Sequence, residues 1–147
     1  MQSLLDEREI LNQLARFVRM LDQRDWDALP NIFSEDVVFD YAEGVERKGL
    51  TQMRTRISGF LVNCGPTHHL LGSIIVEVQG NTALTKAYIQ SRHQGMGDRS
   101  NLYFDANGEY IDHWERRDVG WRIVKRLAVS MFTEGDPRAM GSDQSIN

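Results

Sequence analysis

Asp22, Tyr41, His69, His93 and Arg126 are the residues of this chain whose types suit acid–base chemistry in an apolar setting. A carboxylate bonded to one ring nitrogen of a histidine holds that ring in one tautomer and leaves the other nitrogen free to take a proton. A tyrosine hydroxyl or a second histidine, directly or through water, can polarise an oxygen on which negative charge develops. A buried arginine must meet an acid or a ligand anion, and here it could stabilise a departing group. Each residue singly also fits an ordinary role: a structural strand histidine, a solvated acid near a helix end, a packing aromatic, a rim salt bridge. Asp22, His69 and His93 would also make a two-histidine, one-carboxylate metal set.

The elements that must position these groups are legible from period and turn chemistry. Ile10, Leu11, Leu14, Phe17, Val18 and Leu21 recur at helical spacing and predict an amphipathic helix over about residues 6–23. Asp22 follows Val18 by four and so sits at the edge of its buried face. Asp25 then caps a short second helix at Trp26–Leu29, with Pro30 in its turns or ending it. Val37–Tyr41 reads as a short strand, and Leu50 to Leu61 as a third helix. After Gly65-Pro66 the period changes. Residues 67–79, 82–95, 101–117 and 121–132 are long and rich in β-branched and aromatic residues, separated by Gly- and Asn-containing turns. Asn107-Gly108 adds a hairpin or bulge signal.

Helices first and a strand meander after predict an α+β fold. A long sheet curls, and helices on its concave face leave a cone-shaped cavity. His93 shares its strand face with Ala83, Ala87, Ile89 and Ser91, and Arg126 shares one with Val124, Ala128 and Ser130, so both can point inward. His68 and His69 open the first long strand, and both of its faces are apolar, so alternation does not choose between them. Phe17, Val18, Phe39, Met53, Ile57 and Ile89 are the expected pocket walls, suited to a hydrophobic, ring-bearing small molecule.

The 147 residues fit one domain, expected over 1–132, with a polar tail at 133–147 that is either disordered or a flap over the pocket. A net charge of −4 with scattered basic residues argues against a nucleic-acid partner. No apolar stretch approaches the ~20 residues of a membrane span, and acids stand where a signal peptide would be apolar, so a cytoplasmic protein is expected. Cys64 is the one cysteine, which leaves no internal disulfide and no cysteine cluster for zinc. Gly-rich phosphate loops, a nucleophile elbow and a His-Glu-x-x-His helix are missing. No cofactor and no metal is expected.

Over residues 5–132 the chain resembles the SnoaL-like branch of the nuclear transport factor 2-like superfamily. Leu21-Asp22-Gln23-Arg24-Asp25-Trp26-Asp27-Ala28-Leu29 is similar to the helix junction that holds the family's catalytic aspartate. Thr67-His68-His69-Leu70-Leu71-Gly72 is similar to the strand start that holds its histidine, with His69 in the functional place. Asp40-Tyr41 and His93-Gln94 resemble active-site segments of scytalone dehydratase, and Val124-Lys125-Arg126 resembles the segment of hexachlorocyclohexane dehydrochlorinase that holds an essential arginine. Leu21 and Phe17 depart from functional tyrosine and lysine positions of those two members. The resemblance implies a cone-shaped α+β barrel and a cofactor-independent lyase of dehydratase type, with Asp22, Tyr41, His69, His93 and Arg126 at its site. Isomerases, polyketide cyclases, ligand carriers and small subunits of ring-hydroxylating dioxygenases share the superfamily. A homodimer or homotrimer is expected by analogy alone.

Overall fold

The computed structural model describes residues 1–141. Helix α1 (Gln2–Gln23) leads through a short 3-10 helix (Trp26–Asn31) into β1 (Phe33–Tyr41), β2 (Arg47–Lys48) and α2 (Leu50–Leu61). Four long strands follow: β3 (Thr67–Gln79), β4 (Thr82–Gln94), β5 (Tyr103–Arg117) and β6 (Gly120–Gly135). They form one six-stranded sheet in the order β2-β1-β6-β5-β4-β3, antiparallel throughout except where β1 runs parallel to β6. This is the expected α+β cone with its sheet left open. The last strand runs three residues past the expected domain end, and a 3-10 turn (Pro137–Met140) follows with Ala139 fully buried. Residues 142–147 of the expected tail lie outside the described residues. Among the described residues no helix is long and apolar enough to cross a membrane.

Bulges give the sheet its curl. An extra residue in one strand bends it and increases its twist. Register shifts of this kind occur at Gly72/Ile75 in β3, at Asn107/Gly108 and at His113/Trp114. Gly108 has no alternative at its bulge, because a Cβ there would stand 1.9 Å from the Val129 carbonyl oxygen. The bulge in β3 also explains why alternation was silent about the two histidines. Ser73 takes φ 47°, and the inward face passes from His69 and Leu71 to Ile74, Val76 and Val78. His69 is buried and His68 exposed.

The concave face is filled at one end and empty at the other. Trp114, Trp121 and Ile123 pack the narrow end against Ile10, Leu14 and Phe17 of α1. Asp6 ties the start of α1 to this end, accepting from Arg116 Nη1 and Nη2 at 2.8 and 2.7 Å and from Trp121 Nε1 at 3.0 Å. At the wide end the inward positions carry Ser91, Ala106, Gly108 and Ala128, too small to meet the opposite wall. The space they leave is a cavity of about 760 Å³, within the range of small-molecule sites.

Between the two ends lies a buried ion pair. Arg126 Nε and Nη2 each donate at 2.7 Å to the two carboxylate oxygens of Asp112, its neighbour across β5 and β6, and both side chains are 0% exposed. The guanidinium stacks 4.0 Å from the Tyr110 ring centroid, 4.2 Å from Phe17 and 5.0 Å from Phe33. Removing one partner of such a pair leaves the other charge buried and unpaired. Asp112→Ala is therefore expected to lower stability by about 3–5 kcal/mol, read as a shifted urea midpoint with unchanged slope.

Candidate active site

The junction after α1 builds the first half of the site. Arg24 closes the helix in the left-handed region, φ 59°, where glycine is the usual residue. Its guanidinium turns back to donate to Leu21 O at 2.7 Å, Thr67 Oγ1 at 2.7 Å and Gly65 O at 2.8 Å. The helix end is thereby tied to the start of β3. Thr67 Oγ1 in turn donates to Asp22 Oδ1 at 2.9 Å. Arg24 and Thr67 were missed by the sequence reading. An arginine in a helix-closing position that favours glycine was the available signal.

Asp22 meets His69 in two places. Its Oδ2 accepts from the His69 backbone N–H at 3.2 Å, and its Oδ1 lies 2.6 Å from Nδ1 of the ring. Burial pushes the Asp22 carboxyl up, but the hydrogen bonds from His69 and Thr67 outweigh it and hold the group below the usual carboxylate range. An ionised carboxylate only accepts, so Nδ1 carries the proton and Nε2 is the nitrogen left to the cavity that His69 lines.

His93 stands beside it, edge-on to His69 with centroids 5.4 Å apart. Its Nδ1 lies 2.9 Å from the Phe104 carbonyl oxygen, which can only accept. Burial pushes the imidazole down to about 4. His93 is thus neutral at pH 7 with Nδ1–H donating, and Nε2 presents a lone pair. Of the two expected routes by which His93 polarises a substrate oxygen, direct donation is closed to this tautomer; Nε2 accepts from a hydroxyl or a water, and such a water can in turn donate to that oxygen. Asp22, His69 and His93 do not gather as metal ligands, and no group of three such side chains does so among the described residues.

Tyr41 reaches the cavity from the end of β1. Arg126 Nη1 donates to its hydroxyl oxygen at 3.2 Å, and burial raises the phenol above its usual value. Tyr41 therefore keeps its proton, with that proton free to be donated. Arg126 itself does not line the cavity. Three of its five donors serve Asp112 and Tyr41, so the expected contact with a departing group is replaced by support of Tyr41 from behind. Two of the expected walls, Ile57 and Ile89, line the cavity, whereas Phe17, Val18, Phe39 and Met53 lie deeper in the core. Phe60, Phe104 and Met140 add to the apolar lining, the last from the turn beyond β6.

Residues 2–127 match the model of the SnoaL-like domain. A curated relative, an uncharacterized protein of Mycobacterium tuberculosis, is 30% identical over 129 residues, 86% of each chain. Two solved structures from Novosphingobium aromaticivorans superpose closely. One, named "Putative Scytalone Dehydratase", gives a TM-score of 0.81 at 20% identity and covers 91% of this chain and 89% of its own. The other, named "putative aromatic ring hydroxylase", gives 0.80 at 24% identity and covers 93% and 97%. At these identities both show the fold.

The His93 environment predicts a signature in stability. The unfolded chain protonates this histidine near its ordinary value of 6.5, and the folded chain only near 4. Below pH ~6.5 the unfolded state binds the extra proton, so stability falls as pH drops across that window. His93→Gln keeps a donor for the Phe104 carbonyl and is expected to flatten this part of the profile, as measured by urea unfolding at pH ~7 and ~4.5.

Proposed function

The chain belongs to the SnoaL-like family of the nuclear transport factor 2-like superfamily, and from that premise we propose that it is a cofactor-independent lyase of the dehydratase type. The observation that carries the reading is the Asp22–His69 pair, with one nitrogen bonded at 2.6 Å and the other left to an apolar cavity. His69 Nε2 removes a proton α to a carbonyl, and the carbonyl oxygen takes a hydrogen bond from Tyr41. The electron pair then expels a hydroxyl from the β carbon. The proton held by His69 passes to that hydroxyl, which leaves as water, so the enzyme returns to its starting state. His93 accepts from the departing hydroxyl in the ground state and holds it on the face of the ring near His69. The substrate class is a hydrophobic, ring-bearing β-hydroxy ketone, matched to the aromatic and aliphatic lining.

Support also comes from the putative dehydratase among the structural neighbours, whose name belongs to that protein. Double-bond isomerisation uses the same base and donor without a leaving group, and is the second enzymatic reading. A ligand-binding or dioxygenase small-subunit role is the non-catalytic rival, in line with the name of the other neighbour.

A positioned base contributes about 10²–10⁴-fold in rate. His69→Gln is expected to lower turnover of cyclic β-hydroxy ketones by that amount while ligand affinity changes little, measured by the ultraviolet absorbance of the conjugated enone formed. Normal turnover in this variant would remove the base from His69. A wild-type protein that binds such ketones without turnover, and co-purifies with a large partner at fixed stoichiometry, would favour the small-subunit reading.

A further inference from the structure

Arg56 stands where the cavity opens to solvent. It lies on α2 and lines the cavity with a side chain that is 35% exposed, whereas His69 and His93 are buried further in. Its guanidinium rests 4.7 Å over the ring of Phe60, one helical turn on and also a lining residue. Glu43, from the loop between β1 and β2, forms an ion pair with Arg56 Nη2 through Oε1, and its Oε2 lies 3.3 Å from Arg47 Nη2. Among the residues lining the cavity, Glu43 and Arg56 are the two with a fixed charge.

This pairing is incomplete in two respects. The first is geometric. Arg56 Nε is enclosed and makes no hydrogen bond among the described residues. Arg92 and Arg126 close the same edge of the guanidinium, Nε together with Nη2, on both oxygens of an aspartate. Glu43 engages Nη2 of Arg56, leaves Nε open and divides its carboxylate between two arginines. Buried donors normally have partners, and the group that fits Nε and Nη2 together is a carboxylate held by both oxygens. The second is charge. The three ionic groups joined here are two cations and one anion. Asp40 accepts from the Glu43 N–H at 2.9 Å and pairs with neither arginine among the described residues. Glu43 can release Arg56 and still hold a partner, because Arg47 remains.

We propose that Arg56 binds a carboxylate carried by the ligand, on Nε and Nη2 together, and that Glu43 withdraws onto Arg47 as that carboxylate enters. The ligand is then an organic acid whose ring fills the apolar part of the cavity and whose charged end stays at the mouth. This deepens the lyase reading, on which its catalytic use rests, by making the substrate a β-hydroxy ketone that also bears a carboxylate. Binding alone does not depend on that reading.

The probes are 1-naphthylacetate and its neutral near-isostere 1-naphthylacetamide, titrated by calorimetry at pH ~7, where the acid is ionised. The wild-type protein is expected to bind the acid about tenfold more tightly than the amide. Arg56→Gln is expected to bring the two within about twofold, and Arg56→Lys, which restores the charge without the planar fork, to regain part of the preference. Glu43→Gln removes the competing carboxylate and is expected to tighten acid binding about threefold with the amide unchanged. The amide is the control for an intact cavity in each variant. Equal affinity of the wild type for acid and amide, a preference kept by Arg56→Gln, or acid binding no tighter in Glu43→Gln would each overturn the site. Tighter binding of 1-naphthyl phosphate than of the acid would overturn the carboxylate assignment in favour of a phosphate. No turnover enters these titrations, so failure of the lyase reading leaves them standing, and equal binding of acid and amide strikes the subsite without touching the base at His69. Where both hold, Arg56→Gln raises KM for an acid-bearing β-hydroxy ketone about tenfold with kcat unchanged.

Discussion

The Arg126–Asp112 pair sets what the rest of the molecule can be. Two charges taken wholly out of water are tolerated only with near-ideal geometry and with every remaining donor occupied. The bidentate contacts at 2.7 Å meet the first demand, and Tyr41 meets part of the second. Three rings complete the enclosure, from α1, β1 and β5. The pair therefore holds a helix and three strands to one point. It also partitions the cone. On one side the tryptophans close the core, and on the other the small residues Ser91, Ala106 and Ala128 leave the cavity open.

The chemistry is arranged around that partition in two walls of opposite character. On β3 and β4 the two histidines each spend Nδ1 on a fixed acceptor, Asp22 Oδ1 or the Phe104 carbonyl, and so both offer lone pairs. On β1 Tyr41 offers its hydroxyl proton. Neither wall borrows its polarity from solvent. The acceptor wall is set by backbone and a carboxylate anchored through Thr67 and Arg24, the donor wall by a guanidinium. A hydroxy ketone is polarised in the same sense, with a carbonyl that accepts and a hydroxyl that donates.

Much of this was legible before any coordinates. The bounds of α2 and β3 were read to the residue, because Gly65-Pro66 and Gln79-Gly80-Asn81 punctuate the chain without ambiguity. Asp22 and His69 came from a resemblance of local segments, and the geometry brings them together. What could not be read depended on contacts between strands. Arg126 was expected inward, but whether it met an acid or the cavity turned on Asp112, fourteen residues away on the paired strand. Alternation did not choose between His68 and His69, because a bulge it cannot anticipate shifts the inward face of β3, and the resemblance alone selected His69.

That bulge separates two properties which in a regular strand are inseparable. With one extra residue at Gly72–Ser73, β3 presents His69 inward on one side and Ile74 inward on the other, out of step by a single position. Deleting one residue there would restore plain alternation and leave every side chain on its present face. Anywhere else in β3 the same deletion would turn half the strand inside out. The face pattern is thus indifferent to the extra residue, and only the bend depends on it. Seen this way, residue 73 is a curvature setting, adjustable without rewriting the chemistry that the strand carries.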